Sequence, residues 1–159
     1  MFFLGCHLVD LVMQLQGVPA NVIPLNTSTG IDGVDTEDFG FAVLQYPNGV
    51  SFVRTSGSEV GGFQRRELVI CGSKGSLVIR PLEVLVPDEI RHKVYTDQTE
   101  YRADADRKIT AEHTHGAPFQ RYEAMLRAFA DMVHCKIENP YTADYELELF
   151  RTIMKCCGI

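Results

Sequence analysis

Three groups of residues carry side chains able to move protons, bind anions or hold a metal. His7, Asp10 and Gln14 stand three and four residues apart. On a helix that spacing places them on one stripe, with Asp10 about one turn from the His7 imidazole. An imidazole titrating near ~6.5 suits the removal of a proton from a hydroxyl at neutral pH. A carboxylate beside it would orient the ring and stabilise its charged form. The plainer alternatives are that His7 is a satisfied, partly buried histidine and that Asp10 bonds a neighbouring loop. Arg65 and Arg66 close a polar, glycine-containing segment that begins at Glu59. Guanidinium groups there would bind the hydroxyls or carboxylate of a small substrate; the alternative is a solvated loop.

His113 and His115 flank one threonine in a segment ahead of Pro118 that reads as a loop. No third ligand stands at a fixed spacing from them, so no metal site is expected. The five cysteines, Cys6, Cys71, Cys135, Cys156 and Cys157, form no C-x-x-C pair. They read as reduced, mostly buried thiols.

The elements that must position these residues follow from hydrophobic spacing. Leu4, Leu8, Leu11, Val12 and Leu15 predict a helix over residues 4–16, ended by Gly17 and Pro19. Val9 and Met13 widen its apolar surface, so it is expected to be covered on most sides. Strands are expected at Val22 to Thr27, Phe39 to Tyr46 and Val50 to Thr55, the last two joined by a turn at Pro47-Asn48-Gly49. A second hairpin joins Glu67–Cys71 to Ser76–Arg80 across Gly72-Ser73-Lys74-Gly75, whose glycines are expected at positive φ. Val84 to Val86, His92 to Thr96 and Thr99 to Ala103 are more polar strands, suited to an edge or a half-exposed face. Pro118 suits a first helical turn, and Phe119, Tyr122, Leu126, Phe129 and Val133 form an amphipathic stripe after it. Asn139-Pro140 breaks that helix. Thr142 caps the next, whose expected buried face is Leu149, Phe150, Ile153, Met154 and Cys157, and Gly158 stops it. Strands in succession with helices around them predict an α+β domain: an open-faced, mostly antiparallel sheet with helices packed on one face.

Bulk properties narrow the function. The chain has 159 residues, 45% of them hydrophobic and 23% charged, which fits one domain with a real core. A formal charge of −6 and the lack of any basic run argue against nucleic acid as a partner. No stretch approaches the ~18 apolar residues of a membrane span. The opening Met1-Phe2-Phe3-Leu4-Gly5-Cys6 lacks a cationic start, and Asp10 interrupts the apolar run, so it does not read as a signal peptide. A cytoplasmic protein is expected.

Several strings, taken in order, resemble the C-terminal domain of the glucose–fructose oxidoreductase, inositol dehydrogenase and rhizopine-catabolism family (Gfo/Idh/MocA). They are Leu4-Gly5-Cys6-His7-Leu8-Val9-Asp10, Tyr46-Pro47-Asn48-Gly49-Val50, Gly72-Ser73-Lys74-Gly75-Ser76-Leu77 and Asn139-Pro140-Tyr141-Thr142. The resemblance implies that NAD or NADP binds a separate N-terminal Rossmann half, which also holds a catalytic lysine. No G-x-G-x-x-G occurs here, so no cofactor is expected on this chain alone. It further implies an open sheet that covers the substrate and joins subunits. The family signature in this domain, Asp-x-Gly-x-His, is matched by Gly5 and His7, but Phe3 stands where the aspartate belongs. His7 is then the implied general base, accepting the hydroxyl proton as hydride leaves. Phe3 cannot orient it: either another group such as Asp10 does so, or the chemistry is altered or lost.

The expectation is therefore that residues 1–159 form one substrate-covering and oligomerisation domain of an NAD(P)-dependent oxidoreductase for a sugar, a polyol or a derivative, inactive by itself. Two other classes stay open. One is a non-catalytic module that pairs with itself or a partner through a sheet face carrying Phe39, Phe41 and Val43. The other is a small enzyme built around His7, His113 and His115.

Overall fold

The structure, a computed structural model, describes residues 2–31, 33, 35–86 and 93–159. The chain divides into two compact units: Met1–Val60 with Asn139–Ile159, and Gly61–Glu138.

In the first unit, helix α1 (Phe2–Gln16) and helix α3 (Ala143–Cys156) cover one face of an antiparallel sheet. Its strands are β1 (Asn21–Pro24), β2 (Phe39–Tyr46) and β3 (Gly49–Ser56), in that order. Residues alternate across β2, so Ala42 and Leu44 point into the core while Phe41 and Val43 point away. The core joins those two with Val53, with Val9, Val12 and Met13 of α1, and with Ile153 and Cys156 of α3. Burying a side chain such as Leu44 or Val9 contributes roughly 1.5–3 kcal/mol. Tyr46 pairs with Gly49, which leaves Pro47-Asn48 as the two-residue turn between strands.

Polar bonds tie the helices to this sheet. Asn26 Nδ2 donates to the Cys156 carbonyl at 2.9 Å, while its Oδ1 accepts from the Phe41 N–H at 3.1 Å. Thr142 caps α3 as expected, its hydroxyl accepting from the Tyr145 N–H at 3.2 Å. At the other end the Gly158 N–H donates to Lys155 and the Ile159 N–H to Met154, with Gly158 at φ +79. That pattern is a Schellman stop.

The second unit is more open. A four-stranded antiparallel sheet runs β4 (Leu68–Gly72), β5 (Gly75–Ile79), β8 (Asp97–Ala103), β9 (Ile109–His115) in the order β4-β5-β8-β9. Beside it in sequence lie β6 (Val84–Leu85), β7 (Lys93–Tyr95) and β10 (Phe119–Gln120), in the order β10-β7-β6. Helix α2 is Glu123–Val133. Val94, central in the small sheet, is the fully buried hydrophobic residue among the described residues of this unit.

The α+β class and the open antiparallel sheets agree with the reading of the sequence. Several details differ. Helix α1 is covered on one side only: Phe3, Leu4 and Leu15 are exposed, because the sheet lies on a single flank. Strand β1 stops at Pro24, and Thr27 forms an isolated bridge to Phe39. Gly72 and Gly75 are not at positive φ. They are required by close approach: a Cβ on Gly75 would sit 2.8 Å from the Tyr101 carbonyl oxygen, and one on Gly72 would sit 3.1 Å from that of Gly75.

Phe119 pairs with Val94 as a strand residue, so α2 starts later, at Glu123. Its amphipathic stripe is exposed at Leu126, Phe129 and Val133. The buried face of α3 is Thr152, Ile153 and Cys156, whereas Phe150 is half exposed. Cys156 is the one buried thiol; Cys71 and Cys135 are exposed, on an uncovered strand and just past the end of α2. Burial pushes the Cys156 thiol up to about 11, with the neighbouring Cys157 adding to the rise. The expected start of a strand at His92 lies outside the described residues, as do Asp32 and Val34.

Candidate functional site on helix α1

His7 and Asp10 share helix α1, one turn apart, as the spacing requires. They do not share a bond. The His7 side chain is exposed and engages no hydrogen-bond or ionic partner among the described residues. Asp10 is half buried and turns instead to α3, where the Tyr145 hydroxyl donates to its Oδ1 at 2.5 Å. Burial raises the Tyr145 phenol well above its ordinary range, and the hydrogen bond to Asp10 raises it further. The phenol is thus held as a donor. Tyr141 packs against the Tyr145 ring at 6.2 Å between centroids.

Phe3, one turn before His7, is 90% exposed. The place where a carboxylate would stand beside His7 is therefore open to solvent. Chemically, this surface offers an exposed imidazole and a carboxylate anchored by a phenol. Tyr145 escaped the sequence reading because it lies 135 residues from its partner. Its only local signal was its place three residues after a helix cap.

Arg65 and Arg66 belong to the second unit, His7 and Asp10 to the first. Arg65 is exposed and ends a short 3-10 turn, Phe63–Arg65. The Arg66 guanidinium lies 3.4 Å from Glu83 Oε2 and stacks over the Phe63 ring at 4.4 Å. Arg121 reaches the same Glu83 oxygen at 2.8 Å. A substrate carboxylate at Arg66 would compete with Glu83.

His113 and His115, expected in a loop, lie on strand β9. The preceding turn is organised by Asp104, whose carboxylate accepts from the N–H groups of Asp106 and Lys108 at 3.0 and 2.8 Å. Asp104 was the local turn signal for that hairpin. Among the described residues, no three His, Cys, Asp or Glu side chains gather into a metal-holding group. None of the described helices is long and apolar enough to cross a membrane.

Residues 1–78 match the family model of the GFO/IDH/MocA C-terminal domain. No curated protein matches the chain in sequence. Solved structures match its fold over nearly all of its length. A Klebsiella pneumoniae protein named as an oxidoreductase is 24% identical, with a TM-score of 0.66, over 99% of this chain and 46% of its own. A Desulfitobacterium hafniense protein named as an NADPH-dependent oxidoreductase is 15% identical, with a TM-score of 0.74, over 98% of this chain and 44% of its own. An oxidoreductase from Bacillus cereus is 13% identical, with a TM-score of 0.70, over 98% of this chain and 48% of its own. At these identities the likeness is one of fold, and this chain spans less than half the length of each of those proteins.

Proposed function

We propose, from the match of residues 1–78 to the GFO/IDH/MocA C-terminal domain model, that residues 1–159 are the substrate-covering and oligomerisation half of an NAD(P)-dependent oxidoreductase. The carrying observation is that the fold of this chain matches under half of each solved relative while covering nearly all of itself. One of those relatives is named as NADPH-dependent, which supports a nicotinamide cofactor for the whole protein. The substrate class is a sugar, a polyol or a derivative.

In this reading the exposed His7 would accept the proton of the substrate hydroxyl. The cofactor supplies the hydride acceptor, and this chain supplies the imidazole. Asp10, held by Tyr145, fixes the α1–α3 surface on which His7 stands. Arg65 and Arg66 are candidate substrate contacts of the second unit by themselves, Arg66 in competition with Glu83.

Titration of NADH and NADPH into the purified chain, followed by calorimetry, tests the division of labour. No heat at high micromolar cofactor is expected. Saturable binding, or polyol turnover by this chain alone, would overturn the reading.

A second reading has its own observation. The face of the β1-β2-β3 sheet turned away from the helices carries Ile23, Leu25 and Phe52, which are 39, 55 and 66% exposed. The Phe41 and Phe52 rings stack on it at 5.5 Å. An apolar face of this kind suits pairing with a second copy. Such pairing serves the oxidoreductase reading and would also serve a non-catalytic dimerisation module. Cofactor binding by the full-length protein separates the two.

A further inference from the structure

We propose that His113 and His115 form a two-imidazole chelate for a divalent first-row transition ion of the Zn²⁺, Ni²⁺ or Cu²⁺ kind. Strand β9 alternates its side chains, so the two histidines project from one face of the sheet, about 6.8 Å apart along the strand. A loop would impose no such alignment.

The neighbouring strand holds both rings by the same atom. His115 stands opposite Asp97, and its Nδ1 lies 2.6 Å from Asp97 Oδ1. His113 stands opposite Thr99, and its Nδ1 lies 3.1 Å from the Thr99 hydroxyl. A carboxylate can only accept, so Nδ1 of His115 carries a proton, and in the neutral ring Nε2 keeps a lone pair. The Thr99 oxygen can accept from His113 in the same sense. Both Nε2 atoms are then available as ligands. A carboxylate behind a histidine is the arrangement that orients the ring and raises its basicity toward a metal. Asp97 sits beneath its ring, 23% exposed against 62% for His115.

Tyr95 packs on His115 at 4.5 Å between centroids, tilted by 46°. Tyr95 precedes Asp97 by two residues, whereas His113 pairs with Thr99 on the other side of Asp97. The Tyr95 ring thus helps to order the His115 imidazole. Arg80, whose N–H bonds the Asp97 carbonyl at 2.8 Å, pairs its guanidinium with Glu67 at 3.7 Å. Two imidazoles with water in the remaining positions suit Zn²⁺, Ni²⁺ and Cu²⁺, with Cu²⁺ held most tightly. Mg²⁺ and Ca²⁺ prefer oxygen ligands and are not expected to bind.

Calorimetric titration of Ni²⁺ and Zn²⁺ into the whole chain, with the exposed thiols Cys71 and Cys135 first alkylated, tests the chelate. One saturable ion per chain is expected. His113→Ala and His115→Ala should each weaken binding by at least ~10-fold, and Asp97→Asn by ~10-fold or more. His134→Ala, on the far side of α2 in sequence, should bind as the parent does. In the unsubstituted chain, Ni²⁺ should protect both His113 and His115 from acylation by diethyl pyrocarbonate, read by mass spectrometry. Absence of saturable binding overturns the proposal. So does full affinity in either single histidine variant, or protection of only one of the two rings.

Discussion

The Tyr145 hydroxyl donates to the Asp10 carboxylate at 2.5 Å, joining two helices whose residues stand 135 positions apart. Asp10 is the carboxylate that helical spacing offers to His7, yet its hydrogen bond runs to α3. Tyr145→Phe removes that donor and little else. A hydrogen bond to a charged group contributes roughly 1.5–3 kcal/mol, so denaturant unfolding should show a loss at or below that range.

The same phenol sets an alkaline limit. Its folded pKa is raised above the ordinary value of 10.0, by burial first and by Asp10 second. A raised folded pKa means that the native state holds the proton more tightly. The stabilisation is fully present below pH ~10, where both states keep the proton, and is lost as pH rises beyond it. Urea midpoints measured upward from pH 10 should fall with a shallower slope in Tyr145→Phe. Tyr46, also raised by burial, leaves a residual slope in the variant. Identical slopes in the two proteins would refute this account.

Asn26 bonds the last turn of α3 and strand β2 at once. Asn26→Ala abandons a helix carbonyl and a strand N–H, and should cost about 1–3 kcal/mol by chemical denaturation. Asn26→Asp keeps the acceptor for Phe41 but turns a second acceptor on the Cys156 carbonyl. It should recover little of the loss.

Gly75 faces the carbonyl oxygen of Tyr101, with room for no Cβ. Gly75→Ala must push β5 from β8, at a cost of about 1–3 kcal/mol. Hydrogen exchange should quicken across β5 and β8 and stay unchanged in the sheet of the first unit. Unaltered exchange at β8 would contradict the steric account.

Phe52→Glu places a charge in the middle of the open face of the first sheet. If that face joins two copies, light scattering at micromolar concentration should show a dimer in the parent and a monomer in the variant. A parent that is itself monomeric would remove the sheet-face pairing.

Phe3→Asp puts a carboxylate one turn before His7, at a position 90% exposed. Stability should change by no more than ~0.5 kcal/mol, aided by the negative charge near a helix start. In the full-length protein the turnover number should rise. An unchanged turnover number would show that the phenylalanine is not what limits His7.

Local rules made much of this fold legible. Apolar spacing located α1 and α3, Pro47-Asn48-Gly49 located the first hairpin, and Thr142 and Gly158 marked both ends of α3. Those features depend on neighbours a few residues away. What depended on distant neighbours was decided only in the tertiary structure. Which flank of α1 is covered follows from where the sheet lies. The need for Gly75 comes from a carbonyl three strands along in the sequence, at Tyr101, and not from its own φ. Phe119 became a strand residue because Val94 was there to pair with it. His113 and His115 came to share a face because Asp104 closes a turn that returns the chain onto β8. His7 and Asp10 could be placed on one stripe from spacing alone. That Asp10 would bond Tyr145 required α3 to fold back across α1, a contact whose partners carry no local signal of each other.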